Sequence, residues 1–367
     1  MMESKYISQT RKRITKSGVT YLDSNKAYDC VVLFAPMFGN GEVYAINLQG
    51  EIVHQWNLPW TPGLYGYLLP NGNLFYMGKS NEKSDVDFPL WERFKGGVIA
   101  EFDKNSELIF KYEDVYQHHD ARRTNNGGVI YLAVEEVNQN LAAKVQGGMI
   151  PENYSGKMWS DVLIEIDENN NRIWEWHSTE HLDIDKHTIT FNDPRDEWSH
   201  GNTVVPIEND KVLVSFRNIS TVALINKKTG KFIWEIGPEI IAQQHDPHIL
   251  SNGNVLIFDN GVHRFDEPMP YSRIIEIDPI SKDIIWEYSD KPKFNFFSPY
   301  ISGVLKLPND NVMITEGNFG RIFQVDINGN IVWEYISPYY EEDHLGVESN
   351  GIFRVSAYNN NFIEKIL

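Results

Sequence analysis

One phrase recurs six times in this chain, and it leaves little freedom about the fold. It is an alternating strand ending in Asp or Asn, a short polar turn, and a second strand that carries an aromatic residue. The copies fall at 43–47 with 52–56, 99–103 with 108–112, 163–167 with 173–176, 222–226 with 232–236, 274–278 with 284–288, and 322–326 with 331–335. Alternation of period two marks strands with one buried face. The equivalent positions His54, Phe110, Trp174, Trp234, Trp286 and Trp333 lie 47 to 64 residues apart. Each hairpin is followed by an apolar pair broken by a turn of the Asn-Gly type, at 68–76, 124–131, 204–214, 249–258, 305–314 and 347–355.

Four strands per repeat of this length mean a β-propeller. The expectation is an all-β, six-bladed β-propeller over residues 21–367, behind a polar tail at 1–20. The first hairpin is an outer one, and the last pair, at 347–363, is an inner one. The last blade is therefore expected to be completed by N-terminal strands, which closes the ring and removes free sheet edges. The apolar run 30–35 falls near that closure. The indoles of the repeat are expected to be core packing, because they recur without regard to function.

Charge narrows the function classes. The chain has 33 Lys+Arg against 51 Asp+Glu, a formal charge of −18. A nucleic-acid or anionic-membrane partner needs a basic face, so neither is expected. Cys30 is the sole cysteine, which excludes a disulfide within the chain. Residues 1–18 are polar and basic, with no apolar core of a secretory signal, and no run is long enough to span a membrane. A soluble, cytoplasmic protein is expected. Three connections, 79–97, 135–162 and 177–199, are longer than a propeller needs, and such loops are usually functional or mobile.

The repeat register then singles out histidines. His119 lies eight residues before Gly127, and His245 eight before Gly253. His200, before the third copy, falls at nearly the same level. In a propeller this position stands at the mouth of the central channel. Arg217 ends a strand close by, Asn202 follows His200, and Ser302 takes the same slot in the fifth copy. An imidazole nucleophile, a second imidazole for proton transfer and a permanently charged guanidinium would serve group transfer to or from an anion. Two other readings stay open: satisfied structural histidines, or an open zinc site. Against zinc, Arg217 would be repelled by a dication. His118 and His248 read as supporting residues. The group His177, His181, Asp183, Asp185 and His187 reads as a solvated loop face or a cation site.

At these residues the chain resembles the bacterial arylsulfate sulfotransferases that do not use the adenosine phosphosulfate donor. The resemblance rests on His119-Asp120, His200-Gly201-Asn202, Ser215-Phe216-Arg217, Gln244-His245-Asp246 with Asn252-Gly253-Asn254, and Phe258-Asp259-Asn260-Gly261. It implies sulfuryl transfer from an aryl sulfate to a phenol through a transiently sulfated histidine, with no metal or organic cofactor. It implies that His245 is the nucleophile, His119 and His200 its partners in sulfuryl binding and proton transfer, Asn202 a polar contact and Arg217 the anion clamp. Aromatic loop residues, Phe88 and Trp91 first among them, either stack on the aryl ring or pack the loops. Family members often dimerise, so a homo-oligomer is among the expectations. They are also usually exported and carry an N-terminal β-domain, for which the first 40 residues leave no room. Hydrolysis or lyase chemistry on an anionic substrate, and a propeller that only binds a ligand or protein, are the alternatives.

Overall fold

The computed structural model describes residues 16–88, 90–152, 154–264, 266–343 and 346–366. Its antiparallel sheets form a six-bladed β-propeller. Four blades are made of consecutive strands, inner to outer. Blade 2 is Pro62–Leu68, Leu74–Lys79, Gly97–Phe102 and Leu108–Glu113. Blade 3 is Gln117–Arg123, Val129–Glu136, Trp159–Ile166 and Arg172–His177. Blade 4 is Gly201–Ile207, Lys211–Phe216, Thr221–Asn226 and Phe232–Ile236. Blade 5 is His245–Ile249, Val255–Asp259, Arg273–Ile277 and Ile284–Tyr288.

The two remaining blades close the ring. Blade 6 is Gly303–Lys306, Val312–Glu316, Arg321–Val325 and Ile331–Ile336, with Gly18–Leu22 added as a fifth strand on its outer edge. That added strand runs across position 20, and of the stretch read as a tail, residues 1–15 lie outside the described residues. Blade 1 takes its inner strand from Ser356–Asn359 and its other three from Cys30–Phe34, Glu42–Ile46 and Ile52–Asn57. The N-terminal strands thus complete the blade as expected. The expected inner pair at 347–363 supplies only one strand of it. Glu348–Ser349 pairs instead with Glu341–Glu342 in a separate ribbon. The physical reason is apolarity. Cys30–Phe34 can be covered on both faces and is buried throughout, whereas 348–354 carries Glu348, Asn350 and Arg354.

The recurring indoles do more than fill the core. In the first copy His54 Nε2 lies 2.8 Å from Lys104 O; Trp174 Nε1 donates to Lys227 O (3.0 Å), Trp234 to Pro279 O (2.7 Å), Trp286 to Ile327 O (3.1 Å) and Trp333 to Leu48 O (2.8 Å). Each bond runs from the outer strand of one blade to the turn of the next. Trp174, Trp234 and Trp286 are only half-buried. All four repeat indoles pack on the core clusters as expected; in addition each ring N–H finds an acceptor in the neighbouring turn. Blade 2 has Phe110 at this position, which cannot donate. There the Arg123 guanidinium stacks over the ring at 4.0 Å.

A second tie lies at the centre. Arg354, 3% exposed, donates Nη2 to Asn202 O (2.9 Å) and Thr203 Oγ1 (3.0 Å) and sets Nη1 at 3.4 Å from Asp120 and 3.2 Å from Asp246. Asp120 also accepts Val204 N–H (3.0 Å) and the Tyr65 hydroxyl, and Asp246 accepts Val304 N–H (3.0 Å). This one network joins blades 2 to 6.

Candidate functional site

The inner strands begin irregularly, and this aims the site. Leu64, His119, His200, Asp246 and Ile301 have φ of 112°, 50°, 52°, 51° and 46°. Such values are uncommon and strained for residues with a Cβ. Five of them at the starts of five blades mark a repeated bulge that turns side chains toward the axis. The result is a cavity of about 200 Å³. Its walls include Leu64, Phe94, Ile301, Met37 and Phe38. Its polar lining is His119, His200, His245, Arg217, Arg93 and Tyr300, and among the described residues no carboxylate lines it.

Each histidine is tied from behind through Nδ1. His245 Nδ1 lies 2.8 Å from Asn260 Oδ1, and Asn260 Nδ2 donates to Ser298 O at 2.7 Å. That second bond fixes the amide so that its oxygen faces the imidazole. His245 must then carry its proton on Nδ1, which leaves a lone pair on Nε2. Burial and the nearby Arg217 push the His245 pKa down to about 3, so the ring is neutral at pH 7. His119 Nδ1 lies 2.7 Å from His118 Nδ1, and His118 Nε2 is 3.1 Å from Asp161. Burial, with His200 close by, holds His119 well below the usual histidine range. His200 Nδ1 lies 2.5 Å from Glu197 Oε2, and burial with Arg217 brings its pKa to about 3. The His119 and His200 rings meet edge to face at 4.7 Å.

Arg217 is aimed by a loop. Its Nη1 donates to Asp193 Oδ1 (2.9 Å) and Asn218 Oδ1 (3.0 Å). Its buried Nε has no hydrogen-bond partner among the described residues. A guanidinium lining a cavity whose described lining residues include no carboxylate suits an anion. Phe94, from the short helix Trp91–Phe94, closes the remaining wall and packs at 4.6 Å from His119 and 4.7 Å from His200.

The sequence matches the family model for arylsulfotransferase (ASST) over residues 94–338, two thirds of the chain. The chain belongs to the arylsulfotransferase family. No curated protein matches. Among solved structures, a protein of unknown function from Bacteroides caccae superposes with a TM-score of 0.55 at 11% identity, over 91% of this chain and 100% of that one. A streptogramin B lyase gives 0.49 at 12% identity, over 94% and 92%, and a virginiamycin B lyase from Staphylococcus aureus 0.46 at 11%, over 88% of this chain and 89% of that one. The first of these likenesses speaks for the fold alone.

In this arylsulfotransferase-family chain, His245, His119, His200 and Arg217 come together around one cavity, as expected. The other expected contacts sit elsewhere. Asn202 is buried between blades 4 and 5, donating to Gln244 O (2.8 Å), because that carbonyl needs a donor there. Ser302 is fully buried and stands beside Asn260 (3.3 Å) rather than in the cavity. Phe88 and Trp91 turn inward and pack on each other and on Phe94, which leaves Phe94 to line the cavity. His118 supports His119 as expected. In the 177–199 loop, His187 is buried, accepts Asp183 N–H (2.8 Å) and faces Glu235 (3.2 Å), so this is not a solvated face throughout. Among the described residues, no three His, Cys, Asp or Glu side chains converge as a metal site. No helix of the described residues is long and apolar enough to cross a membrane.

Sequence reasoning passed over Asn260, Glu197, Asp161, Asp193 and Arg93 as site residues. Asn260 stood inside a quoted motif, and Glu197 lies three residues before His200, so both were within reach of it. Asp161 and Asp193 come from another strand and from a short strand outside the blades, and no local pattern marks them.

Proposed function

We propose that the chain moves a sulfuryl group from an aryl sulfate to a phenolic or other hydroxyl acceptor in a ping-pong cycle, through a sulfohistidine at His245. The observation that carries this reading is the tautomer of His245. Asn260 holds its Nδ1–H, and the neutral ring turns an Nε2 lone pair to a cavity with a guanidinium and, among the described residues, no carboxylate. The lone pair attacks sulfur and the aryl oxygen departs. The sulfated ring keeps its Nδ1 proton and its positive charge, which makes it a good leaving group for the second half. Arg217 holds charge on the sulfuryl oxygens, and His119 and His200 serve sulfuryl binding and proton transfer. The size of the cavity suits a single ring, since an apolar cavity of ~150 Å³ takes benzene.

The test is intact mass after incubation with a chromogenic aryl sulfate alone. One added sulfuryl group is expected, absent in His245→Ala and discharged by a phenol. Colour release that needs no acceptor would replace transfer by hydrolysis. Unchanged mass and no release would leave a binding propeller.

A further inference from the structure

Glu197 is 1% exposed, and its Oε2 lies 2.5 Å from His200 Nδ1. Its other oxygen, Oε1, is buried with no hydrogen-bond partner among the described residues. The neighbouring carboxylates are better served. Asp161 accepts Gly201 N–H (2.7 Å) and the Ser199 hydroxyl, and Asp193 accepts Arg217 (2.9 Å) and Gln243 (2.5 Å). A buried carboxylate with neither a cation in contact nor an N–H donor of its own is costly, and taking up a proton removes the cost. Burial, reinforced by the negative charges of Asp161 and Asp193, holds Glu197 well above the usual carboxylate range. A Glu197 O–H donating to His200 Nδ1 leaves the His200 proton on Nε2, the ring atom not engaged from behind.

Resting on the sulfuryl-transfer reading above, we infer that Glu197 and His200 form one proton store that serves both halves of the cycle. In the first half, the His245 Nε2 pair forms the N–S bond and the S–O(aryl) bond breaks. The aryl oxygen takes the Nε2 proton of His200, and the Glu197 proton moves to Nδ1, leaving Glu197 ionised. In the second half, the acceptor oxygen bonds to sulfur and gives its proton to His200 Nε2. The N–S pair returns to His245, and the Nδ1 proton returns to Glu197. Protons balance over the cycle without solvent. His200 is the acid and then the base, and Glu197 is a positioning residue that acts through it.

The experiment is Glu197→Gln, with donors of graded leaving-group ability. The amide still donates to Nδ1 but has no proton to give. Sulfation by donor alone, the first half by itself, should change by about threefold or less with 4-nitrophenyl sulfate, whose phenolate leaves unaided, and should fall by roughly 100-fold or more with phenyl sulfate. Glu197→Asp should recover part of the phenyl sulfate rate. An equal loss for every donor, or no loss for any, overturns the assignment. Infrared difference spectra of wild type against Glu197→Gln at neutral pH add a readout independent of turnover. A protonated carboxyl C=O band should be lost in the variant, and its absence from the wild type also overturns the store. A wild type inert toward every aryl sulfate would sink the sulfuryl reading instead, and the infrared band would then decide the protonated pair by itself.

Discussion

Asn260 meets His245 through one atom, Oδ1 at 2.8 Å from Nδ1, and a backbone carbonyl at Ser298 holds the amide so that no other atom can be presented. Asn260→Ala removes that choice. Leaving a buried N–H unmatched costs about 1–3 kcal/mol, so donor-only sulfation should slow roughly 10- to 100-fold. Asn260→Asp should keep the tautomer but favour the imidazolium. Its sulfation rate should fall as pH drops through neutrality, where the wild type is flat. Rapid-quench mass measurement follows both variants.

The pH profile follows from the depressed histidines. His245 and His200 stay neutral down to about pH 3, and His119 lies well below its ordinary value. An unfolded chain binds these protons near pH 6.5. Between those limits the unfolded state carries more protons, so stability decreases as pH falls from about 6.5 toward 3. Above 6.5 these rings contribute no slope. Urea midpoints from pH 8 to 4 should show the loss, and His245→Gln should flatten part of it.

Arg217 is held by Asp193 from the short strand Ile189–Pro194, which lies outside the blades. Arg217→Lys keeps the charge and loses the planar fork. With a single preorganised donor worth about 10²–10³ in kcat, phenol-dependent transfer should fall by that order. Asp193→Asn should fall less and mostly through KM, because the guanidinium remains but is no longer aimed. Steady-state kinetics with a chromogenic donor separates the two.

The indole ties between blades can be tested away from the chemistry. Trp286 is half-buried, and Trp286→Phe removes mainly the bond to Ile327 O. Stability should drop by about 0.5–1.5 kcal/mol, read from urea unfolding, with transfer kinetics unchanged. Trp333, fully buried and bonded to Leu48 O, should cost more on the same change, since packing is lost as well.

The fold was legible because each hairpin repeats its pattern locally. Alternating apolar residues and polar turns are written within a dozen neighbours, so the strand pairs at 43–56 or 274–288 needed no distant knowledge. The last inner pair was not legible, since Ser356–Asn359 finds its partner in Cys30–Phe34 across the whole chain. The same distinction divides the site. His119, His200 and His245 share a register position that counting finds. Asp161 and Asp193 reach the site from a neighbouring strand and from a short strand outside the blades, and Phe94 lines the cavity because Trp91 on its helix and Phe88 just before it turn inward. Only three-dimensional packing decides such choices.

Arg354 belongs to blade 1's side of the closure, yet it touches acids of blades 3 and 5 and the backbone of blade 4. Phe353 beside it lies 5.9 Å from the His119 ring and 6.1 Å from that of His245. Two of the cavity's histidines are therefore backed by the segment that seals the circle. No single blade, and no open array of five, carries a working fraction of this centre. The site comes with the circle as a unit, so duplication or exchange of individual blades can diversify the rim but cannot reproduce this centre.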